Sequence, residues 1–187
     1  MNLLECSGVK EEYRKYIAQL YQYIPSEIYE GLFSLFCLGV VMYFAFCGFK
    51  KGILFTVRLM LVEYLFLIFC STVFYRTSGV ERKYDLQPFW SYDKPELMVE
   101  NVMNVVVFVP IGILLGWAFQ KIKWWQVLIV GSLISLSIEV MQFGLKRGFA
   151  ETDDVMHNTL GCMLGYGVFL IIQGLWRNVL SNKRVEG

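Results

Sequence analysis

Residues 124–143 read WWQVLIVGSLISLSIEVMQF, with one charge, Glu139, in the whole run. An α-helix needs roughly 20 apolar residues to cross the hydrocarbon core of a bilayer, and this stretch has that length. A soluble surface helix would show a polar face at every turn. Working outward, four more runs share the pattern. Residues 31–49 and 155–176 carry no charge, 54–75 holds Arg58 and Glu63, and 102–119 holds Asn104 and Pro110. Continuous runs of this kind exclude a β-barrel, whose strands alternate over shorter segments. The fold class is therefore all-α, a polytopic membrane helix bundle of about five transmembrane helices.

Composition agrees. Hydrophobic residues make up 56% and charged residues 18%, against about 25% charged in soluble proteins. The charges are bunched between the apolar runs. A net charge of +1 offers no electrostatic case for a nucleic-acid partner. The expected organisation is a segment at 1–27 followed by a transmembrane bundle at 28–187. Within the first part, Val9, Tyr13, Tyr16, Ile17, Leu20 and Ile24 follow helical spacing over 9–24, as in an amphipathic helix lying at the membrane interface. The first 25 residues have no apolar core with a small-residue cleavage site, so no cleavable signal peptide is expected. The five cysteines have no disulfide or zinc spacing and read as packing residues. The single His157 excludes a multi-histidine metal cluster within one chain.

Cationic residues divide almost evenly between the two sets of loops. The first helix breaks the tie, because Glu27 and Glu30 precede it and Lys50 and Lys51 follow it. Positive-inside then places the N-terminus outside and the C-terminus in the cytoplasm. The lipid bilayer is the partner this architecture requires.

The unusual polar residues converge on one membrane face. Arg76 closes the second span and Asn104 opens the third. Glu139 and Gln142 lie in the last turns of the fourth, and Asp153, Asp154 and Asn158 open the fifth. At 1.5 Å rise per residue, Glu139 and Asn158 lie roughly 6–8 Å inside their helix ends. A shallow polar pocket, open to one aqueous side, is the expectation. Ser132, Ser135, Glu139 and Gln142 form one helical stripe, and Asp154, Asn158, Gly161 and Gly165 another. The two stripes face each other if these spans form a hairpin. Gly161-x-x-x-Gly165 is a small-residue ridge for close helix approach. Simpler readings stay open beside this one. Glu139 could be a paired structural carboxyl, Asp153 and Asp154 an N-terminal cap, Asn158 an interhelical hydrogen bond, and Arg147 an interfacial cation. Arg58 and Glu63 read as side chains reaching for the interface. Pro110 frees the carbonyl of Val106, either as a packing kink or to shape the pocket.

At these residues the sequence resembles the VanZ-like family of bacterial membrane proteins. Four segments carry the resemblance in order. They are Leu86-Gln87-Pro88-Phe89, then Asn104-Val-Val-Val-Phe108-Val-Pro110-Ile-Gly112, then Ser137-Ile-Glu139-Val-Met-Gln142, then Glu151-Thr-Asp153-Asp154-Val-Met-His157-Asn158-Thr159-Leu160-Gly161. They put the VanZ-like core within 76–176. The resemblance implies a protein of the bacterial cell (cytoplasmic) membrane connected with the envelope. Through the glycopeptide-resistance accessory protein that names the family, it also implies a link to teicoplanin tolerance. It brings no settled reaction.

Three functions follow as expectations. The first is a binder or transporter whose pocket takes an amphipathic envelope molecule, such as a lipid-linked cell-envelope precursor or the glycopeptide itself. Arg76, Asn104, Gln142, Arg147 and Asn158 would supply recognition. With so few spans, transport would favour a homo-oligomer. The alternative is an enzyme acting on a polyprenyl-phosphate-linked sugar or a lipid headgroup. In it Glu139, Asp153 and Asp154 would be catalytic, Glu139 as general acid or base. Asp153, Asp154 and Asn158 would be the oxygen ligands for Mg²⁺ or another divalent cation. A structural assembly factor for envelope enzymes is the third.

Overall fold

In the computed structural model, which describes residues 26–47, 49–76, 83–94 and 97–185, five helices are long and apolar enough to cross a membrane. They are α1 (Ser26–Cys47), α2 (Phe49–Phe69), α3 (Met98–Ala118), α4 (Trp124–Leu145) and α5 (Thr152–Val185). The expected amphipathic helix at 9–24 lies outside the described residues. The outward faces present Phe33, Val62, Val106, Leu133 and Ile171. An apolar exterior is what a chain solvated by lipid requires.

Lipid supplies no hydrophobic force between helices, so close backbone approach must hold them together. The sequence provides it at glycines. A Cβ on Gly161 would strike the Val105 carbonyl oxygen, one on Gly165 the Val109 carbonyl oxygen, and one on Gly112 the Cys162 carbonyl oxygen. These contacts advance together along both chains, so α3 and α5 run parallel with their backbones touching. The Gly161–Gly165 ridge therefore faces α3, not α4. The α4–α5 approach uses Gly131 against Cys162. Around these seams Phe108, Ile111, Val127, Ile138 and Cys162 form a fully buried core. On the far membrane face, the Tyr166 hydroxyl donates to the Ile122 carbonyl at 2.8 Å. There Arg58 donates to the Ala118 carbonyl at 3.3 Å, with its guanidinium 5.6 Å from the centre of the Phe119 ring. Arg58 thus caps a neighbouring helix end instead of merely reaching for water. Helix α1 is peripheral. It leans on α2 through Gly39 against Leu59 and a Tyr43–Phe55 stack with ring centres 4.0 Å apart.

Two local features were not legible as apolar runs. Helix α2 ends in one wide π turn, Cys70–Phe74, closed by the Tyr75 N–H on the Cys70 carbonyl at 2.9 Å. Two short strands, β1 (Lys83–Asp85) and β2 (Phe149–Glu151), pair in parallel, with Tyr84 opposite Ala150. The pairing ties the connection before α3 to the connection before α5, so both lie on one membrane face.

Candidate functional site

That face is where the polar helix ends meet. Each helix contributes from within one turn of spacing. Glu100 and Asn104 lie on α3, Glu139 and Gln142 on α4, Asp154 and Asn158 on α5, and Arg76 follows the π turn. All line a single cavity of about 390 Å³. Its remaining wall is largely apolar, with Tyr64, Leu67, Ile68, Val107 and Phe108 further along their helices from the polar ends and Met103 level with Asn104. The cavity is therefore polar near the membrane face and apolar toward the bilayer interior.

Local geometry holds the polar end. The Asn104 amide donates to one Asp154 oxygen at 2.7 Å, and the Asn158 amide donates to the Ser135 hydroxyl at 2.8 Å. The Ser132 and Thr159 hydroxyls meet at 3.1 Å, so the α4 stripe does turn inward toward α5. One oxygen of Glu139 accepts the Glu151 backbone N–H at 3.0 Å, and the side chain is buried. The Gln142 amide nitrogen donates to the Thr72 carbonyl, within the π turn, at 3.1 Å. Its oxygen, also buried, has no partner among the described residues. Tyr64 donates at 2.8 Å to the Val107 carbonyl, next to the Val106 carbonyl that loses its helical donor to Pro110.

Two of the expected site residues face elsewhere. Asp153 is 1% exposed and does not line the cavity. Its carboxylate accepts the Phe89 N–H at 2.6 Å, the Ser91 N–H at 3.0 Å and the Ser91 hydroxyl. Asn101 donates to the same hydroxyl at 3.0 Å. Adjacent residues on a helix point about 100° apart, and here that rotation carries Asp153 away from the cavity that Asp154 enters. Asp153 instead anchors the turn before α3, where Phe89 sits at φ 66°, a left-handed conformation costly for a residue with a side chain. The Leu86–Phe89 motif is thus a structural corner. Arg147 donates to the carbonyls of Val73 and Phe74 and so caps α2. The expected cation ligands Asp153, Asp154 and Asn158 are accordingly split between corner and cavity. Among the described residues, no group of three His, Cys, Asp or Glu side chains is arranged to hold a metal ion.

Glu100 is the cavity residue that reading the sequence missed. Its signal was present, since Glu100 and Asn104 share a helix face one turn apart. Ser71 and Thr72 also line the cavity and were missed, because they belong to the π turn. On the other side of Glu139 runs a mostly apolar groove of about 500 Å³, bordered by Tyr84, Leu86, Val140 and Phe143. Glu151 borders the same groove. Burial pushes its carboxyl up to about 8, with the charges of Asp154 and Glu100 acting in the same direction.

A family model described as VanZ/LLP1 matches residues 55–173, more than half of the chain. Protein VanZ of Enterococcus faecium is 29% identical over 106 residues, which cover 57% of this chain and 62% of that relative. The chain therefore spans less than two thirds of the relative's length. No solved structure matches.

Proposed function

The chain is a multi-span membrane protein belonging to the VanZ/LLP1 family, and from that premise we propose that it binds, and in an oligomer transports, an amphipathic molecule of the bacterial envelope. The observation that carries this reading is the division of the cavity. Arg76, Glu100, Glu139 and Asp154 stand toward the membrane face, and Leu67, Val107 and Phe108 lie further along their helices from it. A ligand with its head in water and its chain in lipid meets matching surroundings at both ends. A soluble metabolite would gain nothing from the apolar limb, and a bare hydrocarbon would leave the polar end unpaired. With the N-terminus outside, as the charges flanking α1 favour, the polar mouth faces the exterior, where a lipid-linked precursor or a glycopeptide is met.

The same carboxylates support a second reading, an enzyme acting on such a molecule. One oxygen of Glu139 is held by a backbone N–H and, among the described residues, no hydrogen bond ties down the other, which suits a positioned acid or base. Extraction in mild detergent separates the readings. The wild-type chain is expected to carry about one amphipathic molecule per protein, identified by mass spectrometry of the extract. Leu67→Trp fills the apolar limb and is expected to displace it at unchanged protein yield. Under the binding reading, Glu139→Gln leaves the molecule chemically the same as in wild type. A different, unprocessed molecule on Glu139→Gln favours the enzyme. No amphipathic molecule on the wild-type protein overturns both.

A further inference from the structure

We propose that the head held in this cavity carries both a phosphate and a primary ammonium, as a phosphoethanolamine lipid does. The proposal rests on the amphipathic reading above and deepens it. Arg76 takes the phosphate, and the acceptors around Gln142 take the N–H groups.

The starting point is a buried acceptor without a donor. The Gln142 side chain is 2% exposed and its Oε1 makes no hydrogen bond among the described residues. Its orientation is not arbitrary, because Nε2 must face the Thr72 carbonyl to which it donates. An unpaired buried acceptor is costly, and a ligand donor would relieve it. Other acceptors stand in the same lining. Asp154 has one oxygen bound by Asn104 and Glu139 has one bound by the Glu151 N–H. No hydrogen bond holds the second oxygen of either among the described residues. The cavity thus requests several donors at one place.

Charge narrows the choice. Three carboxyl groups, Glu100, Glu139 and Asp154, share the lining with one guanidinium, Arg76, so a cationic group finds more partners there than an anionic one does. A purely anionic head would add repulsion inside apolar walls, where charges are poorly screened. A neutral sugar would satisfy acceptors but form no ion pair with these carboxyl groups. A quaternary ammonium would offset charge but offer no N–H. A primary ammonium does both. Arg76 then needs an anion of its own, and its planar fork suits phosphate oxygens. Arg76 and Gln142 stand close together. A Cβ on Gly148 would lie 2.8 Å from Gln142 Oε1 and 3.1 Å from Arg76 Nη1, so the glycine is what lets the guanidinium and the acceptor draw in side by side. A phosphate and an ammonium joined by two carbons match neighbouring sites of this kind.

The test is native mass spectrometry of the full chain in detergent, titrated with short-chain phosphatidylethanolamine. The comparison probes are phosphatidylcholine, phosphatidylglycerol and water-soluble phosphoethanolamine. Phosphatidylethanolamine is expected to bind about tenfold tighter than the other two lipids, the scale of one charge-assisted hydrogen bond. Gln142→Leu is expected to erase the preference over phosphatidylcholine. Should that variant lose its hold on Thr72 and fold poorly, Glu100→Gln carries the same test, since no hydrogen bond among the described residues depends on Glu100. Arg76→Gln is expected to weaken all three lipids alike. Phosphatidylcholine or phosphatidylglycerol binding as tightly as phosphatidylethanolamine overturns the head assignment and leaves the amphipathic reading standing. Soluble phosphoethanolamine binding as tightly as its lipid overturns the amphipathic reading and leaves the head assignment standing. Binding of none of the four overturns both.

Discussion

At the scale of single residues, the contrast between Asp153 and Asp154 is instructive. Neighbours in sequence and alike in chemistry, they do different work, because helix rotation sends one to a backbone corner and the other into a cavity. The Asp153 carboxylate answers two N–H groups and a hydroxyl, which leaves it structural. Glu151, just before α5, offers a test through pH. Its carboxyl is raised from an ordinary 4.5 to about 8 by burial first and by Asp154 and Glu100 next. The folded state therefore holds this proton more tightly than the unfolded chain does. Its contribution to stability is complete below 4.5 and is lost as pH rises through about 8. The melting temperature in detergent is expected to fall between about pH 5 and about pH 9. Glu151→Gln is expected to flatten that fall, and its backbone N–H still reaches Glu139. An unchanged slope in the variant would show that another group controls it.

At the scale of elements, the α3–α5 seam decides whether the polar ends meet at all. Its glycines allow backbone to touch backbone, and backbone cannot give way as a flexible side chain can. Gly161→Ala drives a methyl group into the Val105 carbonyl, and overpacking of this kind costs about 1–3 kcal/mol. Gly167 lies on the same helix with nothing within 4 Å of an added Cβ. Gly167→Ala is expected to be neutral or to stabilise by up to about 1 kcal/mol through helix propensity. Melting temperature and monodisperse yield in one detergent compare the two. Equal behaviour would mean that the seam does not hold the bundle. The π turn matters in a different way. Its Thr72 and Val73 carbonyls lie in the last turn, where backbone acceptors are left over, and take the Gln142 amide and the Arg147 guanidinium, so this one turn orients a cavity residue and receives a helix cap. Such turns recur at functional sites.

At the scale of the whole molecule, the parallel strands join two connections far apart in sequence, so both must share a membrane face. In β1 and β2, Lys83 and Phe149 are register partners. Cysteines at these positions are expected to react with an impermeant thiol reagent from the same side of intact cells, and from the outside under the proposed orientation. Opposite sides would overturn the fold, and a shared inner side would overturn the orientation alone. The sequence by itself determined the five crossings and the face on which the polar residues gather. Apolar length and the position of a polar residue along a helix are properties of the chain alone. It also determined the inward stripe of Ser132, Ser135, Glu139 and Gln142, because helical period is written in spacing. Only the tertiary structure decided the phase of each helix. Rotation about a helix axis depends on which neighbour offers a groove, and that choice put Gly161 and Gly165 against α3. The same choice turned Asp153 to the Phe89 corner, Arg147 to the end of α2, and Glu100 into the cavity. The strands were beyond the sequence for a related reason. Each spans only Lys83–Asp85 or Phe149–Glu151, too short for a periodic signal, and each exists because the other lies beside it.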